Sequence, residues 1–337
     1  MTQTLKLGVL GCGDFLRWMS GELRGSSRAQ IKSLYDPELA RAQKFAQELG
    51  GNAVATDDEI FNDPEIDAVL LFVPPWIRRG LIERAIATGK HILTTKPLAA
   101  TVEDAAAIVR AIESSDIQCG VIYRRTGEAT FETLRDMFDS GEIGNLALFK
   151  QDWLHHYPTW NVWATDPARN GGPFMDAMIH NQNIARYLMN RPATAVTYFS
   201  DNHAQNLKCH DTEFMKLDFE NNGSAHLFIT WAADLEVMSN DGNDREHIDI
   251  NYLVTDAGWH VSVQGSTVTA SKNGKKKEWP LKKLPQTRFD SFAETAFDGT
   301  PLRRDIPSVR EAYEDIKLIR DAETHLGVCA PVDLSLS

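Results

Sequence analysis

The stretch Leu5-Lys6-Leu7-Gly8-Val9-Leu10-Gly11-Cys12-Gly13-Asp14-Phe15 decides the fold. Leu5 to Leu10 reads as a buried strand, and a helical pattern follows from Leu16 to Leu23. Between them lies a glycine-rich turn. Strand, glycine turn and helix together are the context that gives a glycine motif meaning. Glycines allow a tight turn and let backbone approach a pyrophosphate seated on the helix N-terminus. Gly11, Gly13, Asp14 and Phe15 are therefore candidate dinucleotide-binding residues. Leu16 stands where the fingerprint has its third small residue, which changes packing more than phosphate binding.

A second strand, Ala29 to Tyr35, ends in Asp36. An acid about twenty residues beyond the glycines accepts hydrogen bonds from the adenosine ribose and repels a 2′-phosphate. That favours NAD over NADP. Asp36 can also cap the helix expected from Pro37 to Leu49.

The alternation continues. Ala68 to Val73 is a continuous apolar strand, as expected when both sheet faces are covered. Pro74-Pro75-Trp76 reads as a loop, and Val73, Pro74 and Trp76 could lie against the nicotinamide end of a cofactor. A helix from Arg79 to Thr88 precedes Lys90-His91-Ile92-Leu93-Thr94-Thr95-Lys96-Pro97. There a strand ends in a lysine that the following proline keeps out of the helical region. Thr101 caps a helix from Val102 to Ser114, and Cys119 to Tyr123 is a further strand. Alternating β and α with apolar strands implies a doubly wound parallel sheet over residues 1–123.

After Tyr123 the character changes. A helix from Glu128 to Ser140 is followed by strands at Leu146–Trp153, Ala195–Ser200, Glu213–Glu220, Ser224–Trp231, His247–Thr255, Trp259–Val263 and Thr267–Ser271. Phe214, Leu217 and Phe219, then Ala225, Leu227 and Ile229, are read as apolar positions of one face. This implies an α+β domain over residues 124–337 with a large, mainly antiparallel open sheet, serving substrate binding and oligomerisation. Its uncovered face suggests a homodimer or homotetramer. The last helix, 308–325, is expected to pack back on the first domain.

Totals narrow the class. Lys and Arg number 35 against 47 Asp and Glu, a net charge of −12. That argues against nucleic acid or anionic membrane as a partner. No apolar run is long enough to span a bilayer, and the N-terminus shows no signal-peptide layout. Cys12, Cys119, Cys209 and Cys329 lack paired or metal-like spacing and read as reduced thiols of a cytoplasmic protein. Metal is not expected at His155-His156, which has no carboxylate or cysteine at ligand spacing nearby.

The second informative stretch is Gly171-Gly172-Pro173-Phe174-Met175-Asp176-Ala177-Met178-Ile179-His180. Glycines and a proline start a helix on which Asp176 and His180 share a face. By themselves they read equally well as a dipole partner and an interior histidine. Tyr123, Arg124 and Arg125, with Trp153, His155, His156, Tyr157, Trp160 and Trp163, supply aromatic faces and donors suited to a sugar ring. Of these, Tyr123, Arg124, His156 and Trp163 are the leading substrate-binding candidates.

The order glycine turn, Asp36, Thr95-Lys96-Pro97, Asp176 and His180 resembles the glucose–fructose oxidoreductase / inositol dehydrogenase (Gfo/Idh/MocA) family. The likeness includes Gly89 to Leu93 and the closing Gly327 to Leu334. It implies a Rossmann domain, a bound nicotinamide cofactor and a sugar or cyclic polyol as substrate, while Arg124 or Arg125 would suit a sugar acid. By position, Lys96 matches the family's Glu-Lys-Pro lysine, and Asp176 and His180 its aspartate and histidine. Thr95 replaces the glutamate, and Asn183 stands where many members have aspartate. The expected chemistry is hydride transfer, with His180, an imidazole of the kind that titrates near neutrality, as general base, Lys96 on the reacting oxygen and sharing in the proton transfer if burial lowers its pKa, and Asp176 on a neighbouring hydroxyl. Two alternatives remain: a lyase or glycoside hydrolase that retains NAD through each cycle, or a non-catalytic dinucleotide-responsive regulator.

Overall fold

The first strand, β1 (Leu5–Leu10), is buried at five of its six positions, so it lies at the centre of a layer covered on both faces. The computed structural model describes residues 3–157, 162–169, 171–233, 235 and 248–336. They divide into two units, Met1–Tyr123 with Leu284–Tyr313, and Arg124–Lys283 with Glu314–Leu336. The second domain read as one run, 124–337, is thus interrupted, because Leu284–Tyr313 belongs to the first unit. The last helix begins in the first unit and ends in the second.

In the first unit, β1 is followed by α1 (Asp14–Gly25), β2 (Ala29–Tyr35), α2 (Leu39–Leu49), β3 (Asn52–Ala53), α3 (Asp58–Phe61), β4 (Ala68–Leu71), α4 (Pro75–Ala87), β5 (His91–Thr95), α5 (Val102–Glu113) and β6 (Cys119–Ile122). The strands are parallel, in the order β3-β2-β1-β4-β5-β6. The winding reverses between β1 and β4, and ligands bind such sheets at the strand ends beside that reversal. Helix α4 starts at Pro75, not at Arg79, so Pro75 and Trp76 open a helix instead of forming a loop. Proline suits the first helical position because its missing N–H would have no partner there.

In the second unit, α6 (Ala129–Asp139) leads to β7 (Leu146–Leu154), a π-turn (Phe174–Met178) and α7 (Ile179–Met189). Then come β8 (Ala193–Asp201), β9 (Thr212–Phe219), β10 (Gly223–Thr230), β11 (Ile248–Thr255), β12 (His260–Gln264), β13 (Thr267–Lys272) and β14 (Lys275–Pro280). The first unit regains the chain with α8 (Arg288–Asp298), before α9 (Val309–Glu323) and the short β15 (Ala330–Pro331). The nine-stranded sheet runs β14-β13-β12-β11-β7-β10-β9-β8-β15 and is antiparallel except where β10 meets β7. Helix α7 covers one face through β7 and β10. The buried positions of β9 are Glu213, Met215, Leu217 and Phe219. Phe214 therefore points to the other face, and Glu213 takes the inward place. Side chains alternate along a strand, so Leu217 and Phe219 force odd-numbered neighbours inward.

Helix α8 has no counterpart among the elements expected from sequence. Thr287 caps it by accepting from Asp290 N at 3.0 Å. Phe289, Phe292 and Ala293 join Leu7, Val9 and Leu16 in the first unit's core.

Candidate functional site

The cofactor candidates gather at the end of β1. Gly11 has φ 95°, and a Cβ there would lie 2.4 Å from the Phe72 carbonyl oxygen, so only glycine is accommodated. A Cβ at Gly13 would meet nothing within 4 Å, and no side chain caps α1. The backbone at Gly13 is thus open on its Cβ side, where a pyrophosphate could approach the start of α1. Phe15 packs edge-on against Phe72, ring centroids 4.9 Å apart. Leu16 is fully buried in the core.

Asp36 ends β2 with both oxygens engaged. Oδ2 accepts from Cys12 N at 2.9 Å and Oδ1 from Glu38 N at 2.9 Å. The first bond ties the acid to the glycine turn. The second makes an Asx-type turn that leads into α2. A carboxylate has lone pairs to spare beyond these two bonds, so it can still accept from ribose hydroxyls. Burial and the nearby Asp36 carboxylate push the Cys12 thiol up to about 12, so it stays protonated. These residues suit the adenosine and pyrophosphate of a nicotinamide dinucleotide. Val73 and Pro74 are half-buried and follow β4, with Trp76 exposed in the first turn of α4.

Lys96 follows β5, is half-buried, and joins Pro97 through a cis peptide. The Thr95 hydroxyl donates to the Ile122 carbonyl at 3.1 Å, so its side chain is committed to β6. Tyr123 is fully buried, and the Arg288 guanidinium donates to its carbonyl at 2.8 Å while gripping Glu22.

In the second unit, the π-turn carries Asp176 and the first turn of α7 carries His180. Ile179 N donates to the Phe174 carbonyl across this wider turn. Gly171 and Gly172 precede it with φ of 95° and 102°, the left-handed region that favours glycine. A Cβ at Gly171 would lie 2.5 Å from the Arg320 guanidinium, and one at Gly172 3.1 Å from Cys209 Cβ. The inward-facing Glu213 accepts from Phe174 N, fixing the start of the turn. Burial, with the Glu323 carboxylate nearby, raises Glu213 to about 8 against the pull of the Phe174 N–H. Sequence reasoning missed Glu213. The β9 alternation counted back from Leu217 would have found it.

His180 is buried, and its Nδ1 accepts from Arg124 N at 3.1 Å. An amide N–H can only donate, so the neutral ring carries its hydrogen on Nε2. Asn183 donates to Asp315 at 2.8 Å, and Arg186 pairs with the same carboxylate. An aspartate at position 183 would face another acid, so asparagine is consistent with its surroundings.

The remaining substrate candidates separate. Trp153 and His155 are buried and stacked edge-on at 4.8 Å, and the Arg125 guanidinium lies 5.4 Å over the Trp153 ring. Trp153 and His155 thus fill the interior, with half-buried Arg125 beside them. Arg124 is exposed and His156 half-buried against Tyr157. Trp163 lines an open cavity of about 340 Å3 with Asp166, Arg169, Asn206 and Lys208. Trp160 lies outside the described residues. Among the described residues no cluster of His, Cys, Asp and Glu is arranged to hold a metal, and no helix is long and apolar enough to cross a membrane.

Comparison with known proteins places the chain in a family. Residues 5–123 match the model of an oxidoreductase family with an NAD-binding Rossmann fold, and residues 131–244 match the GFO/IDH/MocA C-terminal domain. The chain is 30% identical over 196 residues to 1,5-anhydro-D-fructose reductase of Ensifer adhaerens, covering 56% of this chain and 58% of that one. It is 29% identical over 203 residues to scyllo-inositol 2-dehydrogenase (NAD(+)) of Bacillus subtilis, covering 58% and 57%. The matched region thus spans somewhat over half the length of these curated relatives. Aldose-aldose oxidoreductase from Caulobacter crescentus, complexed with glycerol, shares the fold with a TM-score of 0.81 and 19% identity over 98% of this chain and 100% of that one. An Agrobacterium radiobacter oxidoreductase in complex with NAD+, L-tartaric acid and magnesium does so with 0.80 and 16% over 98% and 99%.

Proposed function

This chain belongs to the GFO/IDH/MocA oxidoreductase family, and from that premise we propose that it is an NAD-dependent dehydrogenase oxidising a hydroxyl of a sugar, cyclic polyol or sugar acid. One observation carries the cofactor half: a glycine turn with open space at Gly13, tied through Cys12 N to the carboxylate at the end of β2. The charge of Asp36 disfavours a 2′-phosphate, which supports NAD. Relatives named for an anhydrosugar and for an inositol support the substrate class.

When bound, the nicotinamide supplies the hydride acceptor. The chain's residues manage the proton and the developing charge. His180, with Nδ1 engaged by Arg124 N–H, presents Nε2–H. In that form it donates a hydrogen bond to the reacting oxygen, because losing the Nε2 proton would leave an imidazolate. In this reading the proton acceptor is the Lys96 amine once neutral, the share in proton transfer the sequence already allowed it, in place of His180. Asp176 binds a neighbouring hydroxyl and orients the ring. Arg124, His156 and Trp163 contribute to substrate recognition, while buried Tyr123 contributes through its backbone.

The test is a panel of sugars, inositols and sugar acids with NAD and with NADP, followed by absorbance of the reduced cofactor. Turnover with at least one polyol, faster with NAD, is expected. Tight NAD binding with no response across the panel would reject the dehydrogenase and raise the regulator.

A further inference from the structure

Helix α4 turns a buried face of Arg78, Ile82 and Ala85 toward the sheet, so a cation occupies a core position. Arg78 is 1% exposed. A guanidinium taken out of water is costly unless its donors are satisfied. Here the two Nη groups find carbonyl oxygens, while Nε has no partner among the described residues. Nη1 donates to Thr95 O at 2.6 Å and to Pro97 O, and Nη2 donates to Val73 O. Burial pulls the guanidinium down to about 9, with only Cys119 and Tyr123 opposing it.

The pattern of acceptors is specific. Thr95 and Pro97 are the residues on either side of Lys96, so one nitrogen spans the lysine. The other reaches Val73, just beyond β4. The Thr95 hydroxyl is engaged by Ile122 O, and Pro97 has no N–H. The geometry points to Arg78 as the positioning residue of Lys96: its rigid fork fixes the peptides before and after the lysine and ties them to the end of β4. This rests on the reading of Lys96 as the proton-carrying group. It also accounts for how a chain with Thr95 in place of an acid holds that lysine. A lysine at position 78 has a single nitrogen and cannot set donors in a fixed plane.

A simple staple of α4 onto the sheet makes a different prediction, so the test compares Arg78→Lys and Arg78→Met with Ile82→Ala, a core change on the same helix face. Reductive methylation with isotopically labelled formaldehyde reports on the Lys96 amine, its resonance assigned by its loss in Lys96→Arg. In the NAD-bound protein the Lys96 resonance is expected to move or broaden in both Arg78 variants and to stay in place in Ile82→Ala. With an active polyol, kcat should fall about tenfold or more as the amine loses its position, while KM changes less than about threefold. An unmoved Lys96 resonance in Arg78→Lys overturns the inference, as does an equal shift in Ile82→Ala. If the resonance moves but the parent turns over no sugar or polyol, the positioning role stands and the dehydrogenase reading falls. Should Arg78→Met not fold, Arg78→Lys decides alone.

Discussion

In the proposed reaction His180 is assigned the donor role and Lys96 the base role, an assignment that starts from a single hydrogen bond. With Nδ1 held by the Arg124 N–H at 3.1 Å, the imidazole offers a donor and not a lone pair. Glutamine can place an amide N–H near the position of Nε2, whereas no substitution of Lys96 by methionine can carry a proton. His180→Gln is therefore expected to lose about tenfold in kcat and Lys96→Met about a thousandfold or more, read by steady-state turnover. Equal, severe losses in both variants would return the base role to His180. Lys96 itself was legible in the sequence, because a strand ending in Lys-Pro is a local signal. Its support by Arg78 was not. Seventeen residues separate Arg78 from the Thr95 carbonyl it holds, and an arginine in a helical pattern reads by default as a solvated one.

At the scale of elements, the π-turn before α7 depends on β9. Glu213 accepts from Phe174 N while buried among Tyr198, Cys209, Arg320 and Glu323. Its folded-state pKa of about 8 lies above its ordinary value of 4.5. A carboxyl raised in this way contributes stability that is complete below the ordinary value and is lost as pH rises through the folded one. A tenfold change in proton affinity corresponds to roughly 1.4 kcal/mol, so the loss between about pH 5 and pH 8.5 is on the order of a few kcal/mol. Glu213→Gln keeps an acceptor and cannot ionise. Chemical denaturation at the two pH values should show a flatter dependence in Glu213→Gln than in the parent. A parallel dependence would mean that other groups carry it, Glu323 among them, which burial also raises. The inward placement of Glu213 is hard to see in the sequence because Phe214, Leu217 and Phe219 group by hydrophobicity across a break in the two-residue period. Helix α8 is hidden for a related reason. Its cap, Thr287 with Asp290, is a readable signal, but its apolar face serves a core built from residues some 270 positions earlier, as the Ser26–Asp290 bond shows.

For the whole molecule, the first sheet was legible almost entirely, since continuous apolar strands alternating with capped helices admit few arrangements. The division into units was less so. The return of Leu284–Tyr313 to the first unit leaves no local mark in composition. On the sheet face opposite α7, Phe199 is 52% exposed and Tyr252 46% among the described residues. Phe199 and Phe214 lie with ring centroids 6.2 Å apart, and Phe214 and His226 6.3 Å. We propose that a second copy of the chain covers this face. Phe214→Glu should then lower the mass measured by light scattering to that of the 37.7 kDa monomer without loss of secondary structure. A parent that is itself monomeric would remove the proposal.

Net hydride transfer from a carbinol carbon to a released cofactor is the step on which the functional reading stands or falls. It is tested most directly by incubating the protein with NAD and a polyol deuterated at its carbinol carbons, then analysing the free cofactor by mass spectrometry. Deuterium is expected in reduced nicotinamide released to solution, and almost none with Lys96→Met. Consumption of the polyol with no labelled reduced cofactor in solution would contradict that transfer.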